Sequence, residues 1–178
     1  MQNDTAHKQQ KRIGISMIAL MWIALLTLLV YVFNGVLDNR RNPNQALVTR
    51  YDGNNIPEVE LQRNAYGHYV TDGEINGHAV EFMLDTGATA VVVPEHIAQR
   101  LGLEYGMPID MQTANGVISG YMTTLRQVSV GGISLKNINA YINPREQSDD
   151  VLLGMSFLKK IEFTQRRDTL ILRQAPNR

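Results

Sequence analysis

The segment VEFMLDTGATAVVV, Val80 to Val93, decides the reading of this chain. Ala79 to Leu84 has the character of a strand, Asp85-Thr86-Gly87 interrupts it, and Val91 to Val93 resumes with β-branched residues. A carboxylate just past a strand end and followed by glycine sits on a tight loop, where it can face a cleft. Upstream, Ile75-Asn76-Gly77-His78 places Asn-Gly between two β-rich runs, the strongest short hairpin signal. Downstream, Pro94 to Leu101 reads as a helix, with proline suited to its first position and Gly102 as its stop.

Further out, Met111 to Ile118 carries a second Asn-Gly pair, Asn115-Gly116, which predicts another hairpin with an exposed tip. Leu125 to Val130, the Gly131-Gly132 turn, Ile133 to Leu135 and Ile138 to Ile142 follow as short strands. Val151 to Leu153, Ile161 to Phe163 and Thr169 to Leu172 complete the set. Asp52-Gly53 and Asp72-Gly73 read as turns. Many short strands separated by turn residues predict a mostly β domain, closed or sandwiched, rather than a parallel sheet.

Ahead of this domain, Ile13 to Phe33 contains no charge. About 20 apolar residues at 1.5 Å rise cross a bilayer core of roughly 30 Å. A core helix rarely stays apolar on every face for that length. A cleaved signal has a shorter apolar region and a small-residue cleavage site, which Asn34 to Asp38 does not offer. The expected organisation is therefore a cytoplasmic tail at 1–12, a transmembrane helix at 13–33, a linker at 34–57 and a folded domain at 58–178. The linker is rich in Asn, Arg, Gly and Pro and reads as a tether that lets the domain stand off the bilayer. Lys8, Lys11 and Arg12 precede the span and Arg40 and Arg41 follow it, which favours an extracytoplasmic domain, periplasmic in a Gram-negative source.

Composition removes other chemistries. The chain has no cysteine, so a disulfide scaffold, a thiol nucleophile and cysteine-ligated zinc are excluded. Its formal charge is zero, which offers no argument for nucleic acid. His7, His68, His78 and His96 form no zinc spacing, so no metal is expected. Ser156 lacks the following glycine of a nucleophile elbow and reads as a packing residue. Adjacent Asp149 and Asp150 do not suit a catalytic dyad, because neighbouring strand side chains point to opposite faces, and they read as solvated loop charges.

The order of the Asp85-Thr86-Gly87-Ala88 loop, the Asn115-Gly116 hairpin and Val151-Leu152-Leu153-Gly154 resembles the retropepsin-like aspartic proteases, in particular their bacterial membrane-anchored branch. The likeness runs from about Glu58 to Arg173. It implies a closed β-barrel of the acid-protease fold with one short helix, preceded by the transmembrane helix. By that resemblance Asp85 would be the catalytic carboxylate, with Thr86, Gly87 and Ala88 supporting its loop. Thr86 would bond across a dimer, and Ala114, Asn115 and Gly116 would form a flap over the substrate. Leu153 and Gly154 would brace the loop from behind.

The implied activity is peptide-bond hydrolysis by water, without a cofactor. Two carboxylates about 3 Å apart share one proton, one acting as base and the other polarising the scissile carbonyl. The chain holds one Asp-Thr-Gly, so the second must come from another copy through a two-fold axis. By the family's pattern Leu170 to Leu172 is the expected interface strand. The implied partners are a second copy, a peptide or protein substrate and the bilayer. A non-catalytic peptide-binding module on the same fold is the alternative.

Overall fold

The structure, a computed structural model, describes residues 3–113 and 116–175. It separates into two units, Met1–Asn39 and Arg40–Arg178. The first is almost entirely α1 (Asn3–Arg41), whose last two residues fall in the second unit. Among its described side chains, Trp22, Leu26, Leu29 and Phe33 are all more than half exposed, and no face of the apolar stretch is buried. A helix of a water-soluble domain buries one stripe. This one is long and apolar enough to cross a membrane. Thr27 keeps its hydroxyl satisfied inside the helix by donating to the Ile23 carbonyl at 2.8 Å.

Among its described residues the second unit has eleven strands and two short helices: β1 (Thr49–Tyr51), β2 (Pro57–Gln62), β3 (Tyr69–Ile75), β4 (His78–Leu84), β5 (Val91–Pro94), α2 (Glu95–Arg100), β6 (Pro108–Thr113), β7 (Gly116–Val130), β8 (Ile133–Asn143), β9 (Asp150–Leu153), α3 (Met155–Leu158), β10 (Ile161–Arg166) and β11 (Thr169–Gln174). Seven strands run in the order β3-β4-β9-β5-β8-β7-β6, and β3 also pairs with β7, so six of them close on themselves. Two of the pairings, β4–β9 and β5–β8, are parallel, which makes the ring mixed rather than purely antiparallel. The other sheet has the order β1-β2-β11-β10 and is antiparallel throughout. Its inward residues Val59, Leu61, Leu170 and Leu172 join Phe82, Val91, Leu125, Ile142, Leu153 and Phe157 in one apolar core.

Local signals account for the turns. Asn76 and Gly77 both take positive φ, 54° and 84°, as the two-residue turn between β3 and β4 requires. Gly102 ends α2 at φ +61°. Asp72-Gly73, by contrast, is not a turn but the middle of β3. A methyl at Gly73 would lie 2.4 Å from the Ser129 carbonyl and 2.7 Å from the Phe82 ring. Glycine stands there because β7 approaches β3 closely where the ring closes.

Residues 34–57, expected as a tether, are largely ordered structure. The helix continues to Arg41 and stops at Asn42, because Pro43 disfavours helical geometry in the residue before it. Asn42 and Asn44 are then buried. The Asn44 amide donates to the carbonyls of Gln62 (2.9 Å) and Val70 (2.7 Å), and its oxygen accepts from Gln62 N–H at 2.7 Å. One side chain thus bridges the end of β2 and the start of β3. Asn44→Ala leaves these backbone groups without their partner, and we expect a loss of about 2 kcal/mol in denaturant unfolding of the full-length chain in detergent. β1 also lies within this stretch and pairs with β2, Thr49 facing Val59.

The expectation for Leu170 to Leu172 is corrected. These residues lie in β11, whose two edges are bonded to β2 and β10 within the same chain, and Leu170 and Leu172 are buried. A strand with both edges occupied has no main-chain groups left to pair with a partner. The sheet ends instead in β1 and β10.

Candidate active site

Asp85 follows β4 directly and is half-buried, while Thr86 and Gly87 are exposed. One Asp85 carboxylate oxygen (Oδ1) accepts from Gly87 N–H at 2.8 Å, and the Asp85 carbonyl accepts from Ala88 N–H at 3.3 Å. This is the tight turn that Asp-x-Gly favours. A methyl on Gly87 would stand 3.1 Å from that same carboxylate oxygen, so glycine keeps the approach open.

Support comes from the end of β9 and the start of α3. Asp85 N–H donates to the Leu153 carbonyl at 3.3 Å, and Met155 N–H donates to the Ala88 carbonyl at 2.8 Å. Gly154 lies between these bonds. A methyl there would fall 2.2 Å from the Ala90 oxygen and 2.7 Å from the Ala88 oxygen, closer than any carbon side chain tolerates. Ser156, assigned only to packing, also accepts a hydrogen bond: its Oγ receives Val91 N–H at 3.0 Å from the strand that leaves the loop. No sequence motif marks it, because the contact spans 65 positions.

The Asn115-Gly116 hairpin is formed by β6 and β7, with Thr113 facing Gly116 across the turn. Its expected tip residues Ala114 and Asn115 lie outside the described residues; Gly116 is described, with φ +106°. At the base of the hairpin, Gly106 N–H donates to the Met122 carbonyl at 2.8 Å. The rings of Tyr105 and Tyr121 meet edge to face at 5.2 Å. A groove of about 680 Å³ opens here, lined by Leu101, Tyr105, Met107, Met122, Arg126 and Asn139 among others, none from the Asp85 loop. The loop itself sits at the surface rather than in an enclosed cavity.

Three residues back from the ends of the two strands that hold the loop, in the middle of β4 and at the start of β9, is an acidic pair missed at the sequence level. Glu81 of β4 stands opposite Asp150 of β9 in the parallel register. Asp150, expected as a solvated loop charge, is buried and receives Arg41 Nη2 at 2.6 Å, whereas Asp149 is exposed. Arg41 also lies 3.1 Å from Glu81, and the Asn42 amide donates to both Glu81 and Asp72. Asp149 lies in the bend before β9, whereas Asp150 opens the strand and turns inward to Arg41.

Burial, reinforced by a hydrogen bond with Asp150 and opposed by Asn42 and Arg41, pushes the Glu81 carboxyl up to about 7. The folded chain therefore holds a proton that the unfolded chain releases near pH 4.5. Its stabilising contribution is complete below pH 4.5 and is lost as pH rises through 7. Glu81→Gln, which keeps a neutral hydrogen-bonding group, is expected to match the parent near pH 5 and to exceed it by about 1–2 kcal/mol at pH 8. Thermal unfolding at the two pH values checks this; an equal change at both would refute it.

The family model described as "gag-polyprotein putative aspartyl protease" matches residues 71–160. An uncharacterized protein of Sinorhizobium sp is 31% identical over 90% of this chain and 73% of its own length. A second uncharacterized protein, from Rickettsia prowazekii, is 30% identical over 71% of this chain, which spans 56% of it. The crystal structure of a retropepsin-like aspartic protease from Rickettsia conorii, 28% identical, superposes with a TM-score of 0.55 over 72% of this chain and 95% of that one. With its mostly β architecture, its partly closed ring of strands and its braced Asp-Thr-Gly loop, the chain belongs to the retropepsin-like aspartic protease family.

Proposed function

We propose that this chain is a membrane-anchored aspartic endopeptidase, active as a homodimer in which each copy contributes Asp85. The observation that carries the proposal is the Asp85 loop, exposed on its outer side and bonded from behind by Leu153 and Met155. One copy supplies one carboxylate on an open surface, and water-mediated peptide hydrolysis uses two that share a proton. A two-fold axis beside the loop supplies the second. In this reading Thr86 bonds to the partner loop, while Gly87 and Ala88 let the two loops approach. Leu153 and Gly154 hold the loop in place, and the hairpin of Ala114, Asn115 and Gly116 covers the bound peptide.

The reaction uses no cofactor: water, activated by the ionised carboxylate, attacks a carbonyl polarised by the protonated one. Residues 13–33 span the bilayer, 1–12 remain in the cytoplasm, and the domain lies outside, in the periplasm of a Gram-negative cell. Apolar exposure all round α1 and the basic residues before it support that arrangement.

The test is subunit mixing. Full-length wild-type chain and Asp85→Asn chain are combined in detergent at fixed total concentration, allowed to exchange, and assayed on a diverse peptide library. If two Asp85 residues build each site, activity follows the square of the wild-type fraction, so an equal mixture keeps about a quarter of it. A linear fall to about half would place the whole site within one chain. Absence of cleavage by the wild type would leave a peptide-binding module.

A further inference from the structure

The folded unit begins at Arg40, close in the chain to the end of the apolar stretch. Arg40 follows Leu37, the last residue of the uncharged stretch, by three positions, and a helix rises 1.5 Å per residue. However the domain is turned, the Arg40 backbone therefore lies within about 5 Å of the end of that stretch. The Arg40 carbonyl accepts from Ala65 N–H at 3.3 Å, and the Arg41 carbonyl from the Asn64 amide at 2.9 Å. The 64–67 turn is thus fastened to the same point. Tyr66 at its tip is 72% exposed.

Arg63 ties this turn to the next one. Its Nε donates to the Gly67 carbonyl at 2.9 Å and its N–H to the Asp168 carbonyl at 2.8 Å. The β10–β11 turn that contains Asp168 also carries Arg166 and Arg167, both exposed. Arg63 and Asp168 line one surface depression with Tyr66, Arg166 and Arg167 directly precede Asp168 in the chain, and the Arg40 carbonyl is bonded to the residue before Tyr66. The opposing charges include Asp168, 3.8 Å from Arg63, and Asp38, while the Glu81 and Asp150 carboxylates next to Arg40 are held by Arg41.

Resting on the anchored reading above, we propose that this face is a docking surface for anionic phospholipid headgroups, with Tyr66 seated among them. Chemistry and position agree. Tyrosine favours the membrane–water boundary, where its ring is shielded and its hydroxyl hydrated. Arginine near an anionic surface is attracted to it, each one worth about a fivefold change in the docked-to-undocked ratio. The domain would lie down on the bilayer instead of standing off on a tether.

The chain has one tryptophan, Trp22 within the span, and no cysteine, so both levels can be read in one sample. Full-length Tyr66→Cys, labelled with an environment-sensitive fluorophore, is reconstituted in phosphatidylglycerol vesicles. Quencher lipids at headgroup depth report on the label, and acyl-chain quenchers report on Trp22. Docking predicts that Trp22 is quenched, and that the label shifts to shorter wavelength and is quenched at headgroup depth. It also predicts that the label effect weakens in phosphatidylcholine vesicles and falls about 25-fold in docking ratio when Arg166→Gln and Arg167→Gln are added. A quenched Trp22 with a water-exposed label overturns the docking surface and leaves the anchor standing. An unquenched Trp22 overturns both. A label held equally in both lipids and indifferent to the arginines overturns the electrostatic recognition.

Discussion

Under the proposed mechanism, Asp85→Asn is expected to abolish peptide hydrolysis, with a fall on the order of 10⁴-fold, and to leave the domain folded. Asparagine retains an oxygen at the position that accepts Gly87 N–H. The bonds to Leu153 and from Met155 run through the main chain and do not depend on the side chain. What the amide cannot do is take a proton from water or share one with a second carboxylate. The variant should therefore unfold within about 1 kcal/mol of the parent, since the exchanged group is half-exposed and isosteric. Cleavage of a peptide library by matched preparations, with unfolding curves alongside, makes the comparison. Retained hydrolysis would move the water-activating group elsewhere and remove the central claim of the proposed mechanism.

Gly154→Ala damages both stability and activity. Its methyl would meet the backbone oxygens of Ala88 and Ala90, which cannot swing aside as a flexible side chain can. Either β9 retreats, breaking Asp85 N–H to Leu153 and Met155 N–H to Ala88, or the loop itself moves. Overpacking of this kind costs about 3 kcal/mol. An ångström of displacement at the carboxylate lowers turnover by about 10²-fold in the molecules that remain folded. Gly53→Ala is the control: a methyl there meets nothing within 4 Å, and neither property should change appreciably. Equal behaviour of the two variants would mean that the β9 end does not brace the loop.

What the sequence reveals here is what the chain settles locally. The strand before Asp85, the turn after it, the Asn76-Gly77 hairpin and the Gly102 stop each depend on a few neighbouring residues whose φ preferences or alternation can be read directly. Asp72-Gly73 misleads for the same reason. A glycine required by a distant strand, Ser129 of β7, looks identical to a glycine required by a turn. The Arg41–Asp150 pair joins positions 109 residues apart, and nothing near Asp150 marks it as buried. The stretch after the apolar helix has the polar composition of a linker, yet its Asn42 bonds to carboxylates and its Asn44 to backbone that the composition cannot identify in advance. Leu170 to Leu172 reads correctly as a strand, but which strands flank it is decided by topology.

The parallel pairing of β4 with β9 also imposes a timetable. Asp85 leaves the ribosome well before Leu153, Gly154 and Ser156, which hold its loop, the Ser156 contact reaching back 65 residues. Synthesis proceeds from the N-terminus, and long-range pairings close late. A chain still being made, or cut short before β9, carries the acidic residue without the geometry that arms it. On the proposed reading, an incomplete chain would therefore be unable to cleave its neighbours.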